Sequence, residues 1–270
     1  MQPTQGLINW DALGEMMMPP PAVSVNMWNN DEAAAHYDHF SKLEDDYTKL
    51  QIEAMHLTPS ETVLDIGCGP GRISVPAAAQ AKSVTALDGS EFMLDCVRTN
   101  AKSAGVSNID YVHLRWEEVE VGKNVQPHDI VVVSRTEAMR ELEKVNAVAQ
   151  KRVYMFLFHG PTLKHFSDEL MDGVRQAGPR PPMKPFMAGH VLLFNRLAAM
   201  GIDVNVEYLP DGFTKLYASR EAAYQDLQWL GVPDDKQERF RQNVDRFLIP
   251  EKDGFRLLRE TKTAVLWWKK

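Results

Sequence analysis

From Val63 to Arg72 the chain reads Val-Leu-Asp-Ile-Gly-Cys-Gly-Pro-Gly-Arg, and no other stretch restricts its fold so tightly. Val63, Leu64 and Ile66 predict a buried strand; Gly67, Gly69 and Gly71 predict a turn whose main chain is bare of Cβ atoms. A bulky ligand can lie against such a turn. A helix is expected over 71–80, and its first N–H groups and dipole would favour a polar or anionic group. Ser83 to Asp88 predicts a second short strand that ends in a carboxylate. An acid at that tip of an open α/β sheet is placed to accept hydrogen bonds from the two hydroxyls of a ribose. Loop and acid together specify a seat for a nucleoside-bearing ligand.

The glycine spacing narrows the choice. A dinucleotide loop would carry glycine at position 72, where this chain has Arg72, and no phosphate-cradling loop ending in Gly-Lys-Ser/Thr is present. The Gly-x-Gly-x-Gly pattern preceded by Asp65 resembles the first motif of class I S-adenosylmethionine-dependent methyltransferases. That resemblance implies an α/β, Rossmann-like fold. Its doubly wound, mostly parallel seven-stranded sheet would carry an antiparallel closing strand between its neighbours, with helical cap elements. It also implies S-adenosyl-L-methionine as cofactor and S-adenosyl-L-homocysteine as product. In such enzymes the loop cradles the methionine part and the acid holds the ribose. Those roles map here to Asp65, Gly67, Cys68, Gly69 and Gly71, and to Asp88 with Gly89.

At 270 residues the chain suits one large domain. We divide it into an arm and helix covering the site, 1–56, and a methyltransferase domain, 57–270, with substrate-side insertions at 160–200 and 212–255. A net charge of −7 argues against a broad surface for nucleic acid, so a small-molecule partner is expected. The two cysteines, Cys68 and Cys96, can build neither a disulfide framework nor a four-cysteine zinc site. No apolar run is long enough for a membrane span and no secretory start is recognisable, so a cytoplasmic location is expected.

The N-terminal stretch holds Met16-Met17-Met18-Pro19-Pro20-Pro21, which predicts an extended arm. Helix is expected from Asp31 to about His56, followed by strands at 62–66, 83–88, 109–114, 129–133 and 152–158. Ser90 and Gly105 bracket one intervening helix, and 137–150 is another. Beyond it, helices are expected at 162–177 and up to Met200, separated by the stiff loop Gly178 to Pro185. Extended segments at 202–209 and 213–217, helices at 219–230 and 234–247 and a last strand at 261–268 complete the pattern. Two helices of the 160–255 region are expected to cover the site.

Methyl transfer from a sulfonium needs positioning and exclusion of water, and a base only where the acceptor arrives protonated. Candidates therefore come mainly from strand ends. Asp65 fits either a ligand's ammonium or a structural turn cap, and Met93 either an adenine face or the core. Arg115 stands where relatives often place an acid for the adenine amino group; Trp116 and Glu117 are expected to take over that contact. Ser134 and Arg135 end the fourth strand beside the expected methyl position. Arg135 could fork onto a substrate carboxylate or pair with local acids such as Glu137. His159, ending the fifth strand, fits a base or substrate ligand, or a hydrogen-bonded rim histidine. Tyr37 would fold over the cofactor or pack within its helix. His36 and His39 lack further ligands at suitable spacing, so no metal is expected. The Trp267-Trp268 pair alternates across a strand and reads as core.

The function that follows is transfer of a methyl group to a small molecule. No Asn/Asp-Pro-Pro-Tyr follows the fourth strand, where Ser134-Arg135-Thr136-Glu137 stands instead. Two other readings share the same cofactor seat: a sensor or scaffold without turnover, and transfer of the aminocarboxypropyl arm.

Overall fold

The computed structural model describes residues 8–10, 12–13, 30–175 and 188–270. The Met16–Pro21 arm and the Gly178–Pro185 loop lie outside the described residues. Five strands run parallel: β1 (Thr62–Ile66), β2 (Ser83–Asp88), β3 (Ile109–His113), β4 (His128–Ser134) and β5 (Ala149–Phe158). β8 (Gly254–Lys269) lies antiparallel between β5 and β6 (Asn205–Tyr217), giving the order β3-β2-β1-β4-β5-β8-β6. The sheet is Rossmann-like, with its antiparallel closing strand where expected. An eighth strand, β7 (Leu248–Glu251), pairs with the start of β8. Four residues containing Pro250 carry too little alternation to predict it.

The uninterrupted apolar run Ile130 to Val133 forms β4, with every member fully buried. Both faces of the sheet are covered, which is what such a run demands. On one face Leu64, Ile66, Val131, Val133 and Met155 meet α5 (Leu142–Val148) and α7 (Ala188–Ala199). On the other, Val63, Val132 and Phe156 meet α2 (Asp45–Ala54), α3 (Ser74–Ala78) and α4 (Glu91–Ala104). A third core joins α1 (Asp31–Lys42) to α6 (Leu163–Leu170), α8 (Arg220–Asp226) and α9 (Gln237–Asp245), over the far ends of β6 and β8. Strand order reverses between β1 and β4, so the ligand crevice belongs at their carboxyl ends.

Several elements differ from expectation, each for a tertiary reason. The single helix expected from Asp31 breaks at Leu43 and Glu44, where the Leu43 carbonyl accepts from Thr214 N of β6 at 2.7 Å. Glu44 turns inward to two arginines. The helix after the glycine loop has only the five residues Ser74–Ala78, because the N–H groups of Gly67, Cys68, Gly69 and Gly71 are taken up by the turn and by β2 instead of opening a longer helix. The helix expected at 137–150 divides into a 3₁₀ turn, Glu137–Arg140, and α5. The two extended segments of 202–217 are one 13-residue strand; Pro210 is tolerated because β6 forms the sheet edge. Ser90 does cap α4, accepting from Met93 N, and Gly105 ends it at φ 70°.

The capping helices reach α1 through aromatic contacts. Trp229 stands edge-on to Phe40 at 4.7 Å and stacks on His39 at 5.0 Å. Phe40, a residue of α1, is fully buried against the cap. Phe40→Ala should lower stability by about 3–5 kcal/mol, read as a lower urea midpoint; an unchanged midpoint would show that the cap does not hold α1 in place.

Candidate functional site

At the end of β1 the chain turns because β2 supplies the acceptor it needs. The N–H groups of Gly67 and Cys68 both donate to the Leu87 carbonyl, at 2.8 and 3.0 Å. Gly67 and Gly71 have φ of 67° and 89°, and a Cβ on either would fall within 3 Å of a protein side chain, Thr136 or Val97. These two glycines thus allow close packing of the fold itself. Gly69 differs: the Tyr37 ring lies 3.5 Å from where its Cβ would be. The Cys68 thiol is buried, and burial pushes it well above its usual range, so it stays protonated.

Asp88 closes the loop from the second strand. Its Oδ2 accepts from Gly69 N and its Oδ1 from Ser90 N, both at 2.9 Å. Each oxygen keeps a further lone pair. Burial raises this carboxyl above its ordinary range, against the lowering effect of those two N–H donors. Tyr37 sits between this carboxylate and the arginine cluster described below: burial, then Glu44, raises its hydroxyl, while Arg135 and Arg72 oppose. Asn100 fastens α1 to the loop, donating to Asp38 Oδ1 at 2.7 Å and to the Pro70 carbonyl at 3.0 Å.

Asp65 is buried at the end of β1. Its Oδ2 accepts from Ser74 Oγ at 2.6 Å, which ties the end of β1 to the start of α3. Burial raises its carboxyl to about 6. Sequence reading did not find Arg72 and Glu44. Arg72 donates to Ser134 Oγ at 2.7 Å, Gln51 Oε1 at 2.9 Å and Thr48 Oγ1 at 3.0 Å, and pairs with Glu44 at 3.4 Å. Arg135 joins the same cluster, not Glu137: it donates to Glu44 Oε1 and Asp211 Oδ2, each at 2.6 Å. Its guanidinium lies 3.4 Å over the Phe158 ring. Its backbone holds φ 59°, a conformation that persists for a non-glycine residue only where its surroundings over-determine it. No amphipathic spacing announces these partners, which come from four separate elements.

The adenine-side candidates divide. Met93 is buried on α4, and Trp116 lies in the core of the opposite face with its Nε1 unpaired. Glu117 is exposed and paired with Arg115, whose methylene stem covers Gly89. His159 follows β5, and its ring meets His190 of α7 and Tyr208 of β6, each at 4.8 Å between centroids. Among the described residues no cluster of three or more His, Cys, Asp or Glu is placed to hold a metal ion. Nor is any described helix long and apolar enough to cross a membrane.

Two consequences can be measured. Asp65 has a folded-state value above its ordinary 3.8, so its contribution to stability is fully present below about pH 4 and is lost as pH rises through about 6. Asp65→Asn keeps an acceptor for Ser74 without the titration. Its stability relative to the parent should therefore improve between pH 4 and 7, by up to roughly 3 kcal/mol; a pH-independent difference in thermal midpoint would contradict this. Arg135→Met leaves Asp211 a buried charge without its cation, and Glu44 with Arg72 alone, and should cost about 3–5 kcal/mol in a denaturant titration.

Comparison with known proteins agrees with the geometry. Residues 63–154 match the family described as "Methyltransferase domain". An uncharacterized protein of Haemophilus influenzae is 30% identical over 233 residues, covering 82% of this chain and 81% of that one. A ubiquinone biosynthesis O-methyltransferase of Rickettsia akari is 34% identical over 113 residues, which is 41% of this chain and 43% of the enzyme. A 23S rRNA (uracil(1939)-C(5))-methyltransferase of Vibrio vulnificus is 32% identical over 125 residues, 45% of this chain but only 28% of that enzyme. The last two alignments cover less than half of either partner, so they speak to the shared domain and not to the whole enzymes. With its glycine loop, strand-end acid and inserted antiparallel strand, the chain belongs to the class I S-adenosylmethionine-dependent methyltransferases.

Proposed function

We propose that this protein transfers a methyl group from S-adenosylmethionine to a small-molecule acceptor, acting mainly by positioning. The observation that carries the reading is the pairing of Asp88 with Gly69 beneath Tyr37. Asp88 has one lone pair free on each oxygen, which suits two neighbouring ribose hydroxyls. The Gly67–Gly71 main chain and Cys68 would line the methionine part, with Asp65 bracing the loop from behind through Ser74. The Tyr37 ring beside Gly69 offers a π face to a sulfonium cation. Gly89, under the Arg115 stem, and Met93 leave the adenine edge to Glu117. When bound, the cofactor supplies a methyl carbon made electrophilic by a positively charged sulfur.

The acceptor side is formed by the ends of β4 and β5, where Ser134, Arg135 and His159 stand. Ser134 and the two terminal nitrogens of Arg135 are tied into the chain's own network, so they shape this wall. The net charge of −7 supports a small acceptor over RNA, although several relatives carry the name of an rRNA enzyme.

Calorimetry with S-adenosylhomocysteine should show a single saturable site. Asp88→Asn should weaken it by roughly 10- to 150-fold, the worth of one charge-assisted hydrogen bond. Labelled S-adenosylmethionine incubated with a fractionated cell extract should mark molecules below about 1 kDa. Label on RNA or protein alone would refute the small-molecule reading; absence of heat would refute the cofactor seat.

A further inference from the structure

Buried polar atoms without hydrogen-bond partners gather around the end of β5. They include Nδ1 of His159, Nδ1 of His190, Oγ1 of Thr261 and Nε of Arg135. Thr261 lies against Gly160, and Arg135 lies over the adjoining Phe158. Each such atom costs about 1–3 kcal/mol while unpaired, so their concentration at one strand end calls for a polar occupant. The two imidazoles stand edge to face, 86° apart. His190 is anchored on its far nitrogen, where Nε2 and the Tyr208 hydroxyl are 2.9 Å apart.

Resting on the methyl transfer proposed above, we propose that His190, with its tautomer set by Tyr208, takes the proton from a phenol-type hydroxyl acceptor seated against the His159–His190 pair. When Nε2–H donates to the Tyr208 oxygen, Nδ1 carries the free lone pair, and that atom is buried and unpaired in the structure. The titratable groups that meet His190 are His159 from β5 and Tyr208 from β6. Burial, and then the charge of His159, hold His190 below its ordinary value, so it is neutral at pH 7. A neutral imidazole is matched to an acidic hydroxyl, near 10 for a phenol, and not to an aliphatic alcohol. A thiol would form only weak hydrogen bonds and leave these nitrogens poorly satisfied. The carboxylates that meet Arg135, Glu44 and Asp211, are already bound by its guanidinium, which leaves them unavailable to an ammonium. Beside the pair the surface is apolar: Val191 and Phe194 of α7, with Val206 and Tyr208 on one side of β6, are exposed. A flat, uncharged ring fits that rim.

The step balances. The acceptor oxygen forms its bond to the methyl carbon as its O–H proton passes to Nδ1 of His190, and the carbon–sulfur bond breaks with both electrons going to sulfur. One positive charge enters on the sulfonium and one leaves on the imidazolium, which then releases its proton to water. His159 Nδ1 hydrogen-bonds the acceptor oxygen, and Tyr208 is a positioning residue.

The test uses the full chain, S-adenosylmethionine labelled at the methyl group, and three probes: 4-methylphenol, catechol and benzylamine. Methyl ethers should form from a phenol and no N-methyl product from benzylamine. His190→Gln should lower kcat by roughly 100-fold or more, with KM for the cofactor unchanged. Tyr208→Phe should move the acid limb of the kcat profile to lower pH, because the imidazolium loses its acceptor; a purely structural role would leave that limb in place. No ether from either phenol, methylation of benzylamine alone, or a parental kcat and pH profile in His190→Gln would each overturn the proposal. S-adenosylhomocysteine heats are recorded for every protein. No heat from the parent means the cofactor reading has failed, whereas heat without ether leaves that reading standing and removes the base. Heat retained by both variants also shows that they fold.

Discussion

A buried knot of four charges holds the strand ends in place. Arg72 and Arg135 are cations, Glu44 and Asp211 anions, and every one of these side chains is at most 8% exposed. Such a group is tolerated away from water only when its members satisfy one another closely. Here the condition is met, with Thr263 closing the far end onto Asp211 at 2.5 Å. The knot joins the α1–α2 junction, the residue after the glycine loop, the end of β4 and the paired strands β6 and β8. None of these elements can shift alone without stranding a charge. The α1 helix, carrying Tyr37, is thereby fixed over Gly69 by the same contacts that fix the β4 end.

The glycine loop shows how a ligand seat arises from packing needs. Two of its three glycines make room for Thr136 and Val97, protein atoms from the elements on either side. Their left-handed conformation aims the following N–H groups, so that Gly69 N reaches Asp88. The seat is therefore a by-product of drawing β1, β2 and the β4–α5 connection tightly together. Asp88 is held at the right height because it also caps that arrangement.

This division explains what was legible in the sequence. The core strands could be read because runs such as Ile130 to Val133 have one stable environment, a sheet buried on both faces. Ser90 and Gly105 marked the α4 ends through purely local chemistry. The helix break at Glu44 could not be read, since its cause is Arg135, 91 positions away. Arg72 looked like a mere departure from a dinucleotide motif until Thr48, Gln51 and Ser134 were seen around it. His190 and Tyr208 carried no spacing signal at all. They meet His159 only because β8 enters between β5 and β6 and α7 crosses the same face.

The balance of the knot also bears on the cofactor. S-adenosylmethionine brings a positive sulfur, and Tyr37, its proposed neighbour, feels both Arg72 and Arg135. Two uncompensated guanidinium groups at that distance would repel the sulfonium in a poorly solvated space. Glu44 lies between the two arginines and Asp211 takes the remaining fork of Arg135, so the cluster presents no net charge. The raised hydroxyl of Tyr37 follows from the same burial and from Glu44. A neutral phenol beside Gly69 offers its π face without adding a fixed charge. The two acids that anchor the N-terminal helices and β6 thus have a second physical effect: they let arginines brace the site without driving a cationic ligand away.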